Sequence, residues 1–132
     1  MELIRSDEVV ALNEAIVAAR DGAARLRAAA EDVETDRAAH FTAEADRLEA
    51  RAEVLADAVR ARDDLPDSPA DETVLIEQAV TRLQALFSDH DAVLNEVASR
   101  VDETLRETVE RCRPQIADET ALAALEELRV RF

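Results

Sequence analysis

Residues 6–34, SDEVVALNEAIVAARDGAARLRAAAEDVE, decide the fold. Apolar side chains recur at Val9, Leu12, Ile16, Ala19, Ala23, Leu26, Ala30 and Val33, an unbroken alternation of three and four that keeps them on one face of an α-helix. Glu8, Glu14, Arg20, Asp21, Arg27 and Glu31 fall on the other faces, so that side is wet. Ser6 followed by Asp7 and Glu8 provides a hydroxyl cap and the acids that suit the positive end of a helix dipole. The alternation resumes after Thr35-Asp36, at Ala38, Phe41, Ala45, Leu48, Ala52, Leu55 and Val59. Two long helices, 6–34 and 35–62, joined by so short a turn must lie side by side and antiparallel. Both seams are rich in Ala, which lets helices approach closely but buries less apolar area than Leu. The pair therefore needs further helices to cover it.

The rest of the chain supplies them. Residues 63–68 read as a linker, and Ser68, Pro69, Asp71 and Glu72 carry the signals of a new helix start. Helix 69–87 places Ile76, Ala79 or Val80, Leu83, Leu86 and Phe87 inward. Ser88 and Asp91 have capping-box spacing and open a helix over 88–112, with Leu94, Val97, Val101, Leu105, Val109 and Cys112 on one side. Proline disfavours helical geometry in the residue before it, so Arg113-Pro114 ends that helix. A last helix over 114–132 carries Leu122, Leu125, Leu128 and Phe132, with Arg129 and Arg131 near its C-terminal end.

Composition agrees with one all-α domain spanning 1–132. The chain is 48% hydrophobic and 36% charged but only 2% aromatic, with one Gly, which is the profile of long helices rather than of a sandwich or barrel. Its net charge of −15 repels phosphate backbones and anionic lipid, so neither nucleic acid nor membrane is an expected partner. Apolar runs such as Ala15 to Ala19 are far shorter than the ~20 residues of a membrane span. The N-terminal residues lack a basic-then-apolar signal, and a cytoplasmic location is expected. A single Cys excludes an internal disulfide framework.

One group of residues carries a family resemblance: Leu12-Asn13-Glu14, Asp21-Gly22, Ala29-Ala30-Glu31-Asp32-Val33, then Phe41, Leu55 and Val59, the proline-bearing connection, and Asp89-His90 opening a longer helix. In these the chain resembles an uncharacterised bacterial family of ferritin-like four-helix bundles, a domain of unknown function. The resemblance implies an all-α, antiparallel ferritin-like four-helix bundle: helices 6–34 and 35–62 as one pair, 88–112 and 114–132 as the other. The shorter helix 69–87 would then be part of the crossover. It suggests a stress-related role, and iron only by shared architecture.

The chemistry of that architecture is not encoded. A di-metal centre of the ferritin type needs a carboxylate from each of two helices and Glu-x-x-His from each of the other two. Arg37 stands three residues before His40 and Phe87 three before His90, so neither histidine makes the motif. The apolar seams of the first two helices contain no Asp, Glu or His, while Thr104 and Thr108 lie near the seam of helix 88–112 without an acid beside them. Asp36, His40 and Glu44 form a helical stripe that reads as solvated rather than as a cation site. Glu103, Glu107 and Glu110 read as a wet face. Arg111 and Arg113 flank Cys112 and would favour its thiolate, but the residue reads as a small hydrophobe at a helix end. His90, between Asp89 and Asp91, reads as part of a helix start. No catalytic residue, metal ligand or cofactor site is therefore expected.

The expected function is that of a non-enzymatic bundle working through protein contacts, most simply as a homodimer or other homo-oligomer, because a small Ala-rich core gains from burying more surface. Helix 69–87, through Val74, Leu75, Ile76, Val80, Leu83, Leu86 and Phe87, is the expected interface. Two alternatives are a ferritin-like iron or manganese protein with atypical ligands and an acidic partner of a basic protein. All sixteen basic residues are Arg and none is Lys, which fits either a GC-rich genome or adaptation to high salt. In both cases self-repulsion at −15 is relieved by screening. The melting temperature should rise by several degrees as NaCl is raised towards molar concentration; a flat response would refute this.

Overall fold

The computed structural model describes residues 6–31, 33–62, 64–66, 73–87 and 89–130. Every regular element among them is helical: α1 (Asp7–Ala30), α2 (Asp36–Arg60), α3 (Thr73–Leu86), α4 (His90–Cys112), a 3-10 turn (Arg113–Gln115) and α5 (Glu119–Glu126). Side-chain caps start four of the helices. Ser6 Oγ accepts from Val9 N–H at 3.2 Å and Thr35 Oγ1 from Ala38 N–H at 3.1 Å. Asp89 Oδ1 accepts from Asp91 N–H and Asp118 Oδ1 from Ala121 N–H, both at 2.9 Å. The cap of α4 is thus Asp89 and not the expected Ser88. Ser88 lies outside the described residues, as do Ser68, Pro69, Asp71 and Glu72 of the expected α3 start, and Arg131 and Phe132.

The chain directions follow from which residues meet. Arg62 reaches Glu8, Arg20 reaches Glu53, and Arg27 reaches both Asp46 and Glu49, so α2 climbs as α1 descends. Arg111 pairs with Glu14 while Gly22 faces Val101 and Leu105, so α4 is also antiparallel to α1. Helices α2 and α4 therefore run the same way, with Arg37 near the start of α2 paired to Asp91 near the start of α4. Helix α3 makes the return between them and rests on α1 and α4.

Helix α1 holds this arrangement together. Twelve of its residues are buried, from Val9 to Ala30, which is half its circumference rather than the single seam expected. The reason is that α2, α4 and α3 all pack on it. Gly22 is where this packing is closest: a Cβ there would lie 3.1 Å from Val101 Cγ1 and 3.7 Å from Leu48 Cδ1. Glycine inside a helix costs about 1 kcal/mol relative to Ala, and the close approach of α4 is what it permits. Helix α1 stops at Ala30, short of the expected end at 34, and Val33 beyond it is only half-buried.

The last helix departs furthest from expectation. In place of a helix over 114–132, Pro114 sits in the 3-10 turn, Ile116 is extended, and α5 has only 8 residues. It packs chiefly on α2 rather than pairing with α4. So short a helix is not stable alone. Its own Ala121, Ala124 and Leu125 are buried, as is Leu128 just beyond it, and polar groups hold it at both ends. At the near end Glu8 accepts from the N–H groups of Ala117 at 2.6 Å and Asp118 at 3.1 Å, and from Arg62 Nε at 2.8 Å. At the far end Arg47 donates to the carbonyls of Glu127 and Arg129, and Arg51 pairs with Glu127 at 3.0 Å.

Glu8 thereby ties α1, α2 and the approach to α5 together. Burial works to raise its carboxyl pKa, but the Ala117 and Asp118 N–H groups and Arg62 outweigh it and hold the group below its ordinary 4.5. A depressed folded value means that the contribution is complete above 4.5 and is lost as pH falls through the folded value. Replacing Glu8→Gln should cost about 1.5–3 kcal/mol at pH 7, the range of hydrogen bonds to charged groups. That difference should shrink progressively in urea titrations repeated as pH is lowered below 4.5. A constant difference down to pH 3 would show that charge is not what Glu8 contributes.

Candidate functional site

The stripe Asp36, His40 and Glu44 is broken up by the fold. Asp36 opens α2 and is exposed, as is His40. Glu44 is only 6% exposed, so its place on a solvated stripe is corrected, and so is the expectation that the α2 seam carries no acid. The 3–4 repeat from Phe41 reaches both Glu44 and Ala45, and α2 buries both because α5 covers the flank that Glu44 occupies. Its carboxylate accepts from Arg47 Nε at 2.7 Å, and the same guanidinium reaches the carbonyls at the end of α5. The pair is a fastening for α5. The i, i+3 spacing of opposite charges was the signal available in the sequence.

The other candidates lie apart from one another. His90 is the first residue of α4 and is exposed, and Glu103, Glu107 and Glu110 are exposed along the same helix. Thr108 is buried with its hydroxyl donating to Thr104 O at 2.8 Å, while Thr104 itself is exposed. Among the described residues no group of three or more His, Cys, Asp or Glu side chains gathers where one metal ion would reach them. Two open grooves flank α1. One of about 430 Å³ runs between α1 and α4 past Asp21, Gly22, Arg25, Arg100 and Thr104. Its guanidiniums are engaged, Arg25 with Asp21 at 2.9 Å and Arg100 with Glu96 at 2.6 Å. The other, about 490 Å³, lies among Ala28, Thr42, Ile76 and Glu77.

Helix α3 offers a different kind of surface. Ile76 and Val80 are buried, and Ala79, Leu83 and Phe87 are half-buried. Leu86, expected inward, is instead 78% exposed, and Leu75 is 64% exposed. The helix rests on its neighbours along the narrow row 76-80-83-87, and Leu86 stands about 100° round the axis from Phe87. Leu75 and Leu86 are eleven residues apart, about three turns, and so share a face. Charge is also distributed unusually here: α3 carries one acid, Glu77, and one base, Arg82, whereas α2 carries six acids against four Arg.

Searched against models of protein families, against curated proteins and against solved structures, the chain matches none of them. The reading of function therefore rests on these surfaces.

Cys112 shows how the fold disposes of a reactive group. It is 1% exposed, its Sγ lies 3.5 Å from Glu14 Oε2, and burial first, then the Glu14 charge, push the thiol up to about 12. Arg111 pulls the other way but is itself paired with Glu14 at 2.5 Å, and Arg113 is turned to Glu126 at 2.6 Å. A thiol reagent at pH 8 should modify the folded protein at least a hundredfold more slowly than the protein in denaturant. Comparable rates in the two states would overturn this.

Proposed function

We propose that the protein is a non-enzymatic, ferritin-like helical bundle that acts through protein contacts, the first of them with a second copy of itself. The fold part of this reading is supported by the common direction of α2 and α4, with α1 opposed to both and α3 as the crossover between them. The single observation that carries the functional part is the face of α3, which keeps Leu75 64% and Leu86 78% exposed on the least charged helix of an acidic chain. Apolar side chains left at a weakly charged surface gain most by meeting another apolar surface. Everywhere else two copies at −15 each repel one another.

A metal-binding reading needs inward carboxylates that are not already committed, and Glu44 of α2 is committed to Arg47. Sedimentation equilibrium should show a reversible monomer–dimer distribution that shifts towards dimer with concentration. It should shift further with NaCl, because screening removes the repulsion while leaving the apolar contact. A strict monomer at high micromolar concentration in both low and high salt would overturn the reading.

A further inference from the structure

We propose that the second copy docks through α3 in an antiparallel seam that sets Leu75 of each chain against Leu86 of the partner subunit. The inference rests on the self-association proposed above and specifies its geometry. The residues on this flank of α3 are Leu75, Ala79, Arg82 and Leu86, spaced four, three and four apart. That is the spacing of successive core positions in a coiled coil, where small departures from a straight helix keep such residues on the partner. Leu75, Arg82 and Leu86 are exposed and Ala79 is half-buried, so three of the four positions stand open to a partner.

The spacing is the same read in either direction. A two-fold axis between Ala79 and Arg82 therefore maps Leu75 onto Leu86 and Ala79 onto Arg82, and the patch complements itself, as an isologous interface must. Side-chain size fits as well: the long stem of Arg82 lies over the small Ala79 of the partner subunit, with its guanidinium free to reach the rim. A parallel seam would instead place Arg82 against Arg82, a like-charge contact at the centre of the interface. Charge favours this flank as well: it carries no acid, only Arg82, in a chain of net charge −15, so two copies meeting here avoid the carboxylate repulsion of the acidic faces. On its inner edge the stripe is continuous with half-buried Leu83, which with Ala79 faces Val97 and Arg100 of α4. The other flank, at Glu77, opens instead on the groove beside Thr42 of α2.

The test uses thiol pairing in the full chain, with Cys112 retained because it is buried. Leu75→Cys and Leu86→Cys variants are oxidised mildly, each alone and mixed in equal amounts. In the mixed antiparallel dimer the introduced thiols meet at one end while Leu75 and Leu86 still meet at the other. The mixture should yield at least fivefold more disulfide-linked dimer than either variant alone. Equal or greater yield from a single variant would overturn the antiparallel seam. So would no cross-link from any sample under conditions where the unmodified chain sediments as a dimer. Leu86→Glu gives a second readout: it should raise the dimer dissociation constant at least tenfold while the helical circular dichroism is unchanged, and an unchanged constant would overturn the proposal. A chain that sediments only as a monomer removes the self-association reading itself, which separates the two failures.

Discussion

The structure depends on α1 being apolar around half its circumference. Helices α2 and α4 are both antiparallel to α1 and are not joined to each other by a short turn, so what brings them into one core is their common packing on it. At Gly22 the side chains of Leu48 from α2 and of Val101 and Leu105 from α4 converge on the same spot of α1. Much of that surface is Ala, which contributes little by burial, so the apolar driving force comes from Leu12, Ile16 and Leu26 on α1 and from Phe41, Leu48, Leu55, Leu94 and Leu105 opposite. Fully buried side chains of that size contribute about 1.5–3 kcal/mol each. Small residues set how closely the helices approach, and the larger ones supply the energy.

Polar groups take over where the apolar core thins. Helix α5 is too short to hold itself, and it is fastened by Glu8 at one end and by the Glu44–Arg47 pair at the other. These are not ordinary surface ion pairs, which contribute about 0–1 kcal/mol and are readily screened. Each joins a charged group to backbone N–H or C=O groups at or just beyond the ends of α5. Arginine suits this work because its planar fork serves several acceptors at once, and Arg47 uses it to bind Glu44 and two carbonyls. Elsewhere Arg27 of α1 bridges Asp46 and Glu49 of α2, and Arg60 bridges Glu53 and Asp57 of its own helix, so single guanidiniums offset two acids each.

What the sequence made legible was whatever depended on one long repeat. The buried residues of α2 at Ala38, Phe41, Ala45, Leu48, Ala52, Leu55 and Val59, and the apolar side of α4, followed from 3–4 spacing alone, because each helix rests on its neighbours along one continuous face. Features that depended on a third element were hidden. Glu44 and Ala45 satisfy the repeat from Phe41 equally well, and only the position of α5 decides that both are buried. Leu86 and Phe87 are adjacent apolar residues of which a narrow contact row can take only one. The shortness of α5 was written in Pro114 and Asp118, a turn and a cap, but the run of Leu122, Leu125 and Leu128 concealed it by continuing a helical spacing past the point where the backbone ends the helix. Leu128 is buried all the same, held from outside α5.

The same reasoning separates the two kinds of surface on this molecule. On α1, α2 and α4 charge is dense: part of it is paired across helix contacts, as Arg20–Glu53 and Arg111–Glu14, part within one helix, as Arg100–Glu96, and acids such as Glu103, Glu107 and Glu110 stay exposed. Helix α3 differs because it must return the chain from the end of α2 to the start of α4 while resting chiefly on α1 and α4. A crossing helix of that kind needs one narrow apolar row, and among the described residues a second apolar stripe beside it stays exposed. Leu75 and Leu86 lie on such a second stripe. Their exposure sits on the one helix whose own charges cancel, and that coincidence of apolarity and neutrality is what a face for a second copy of a strongly acidic chain requires.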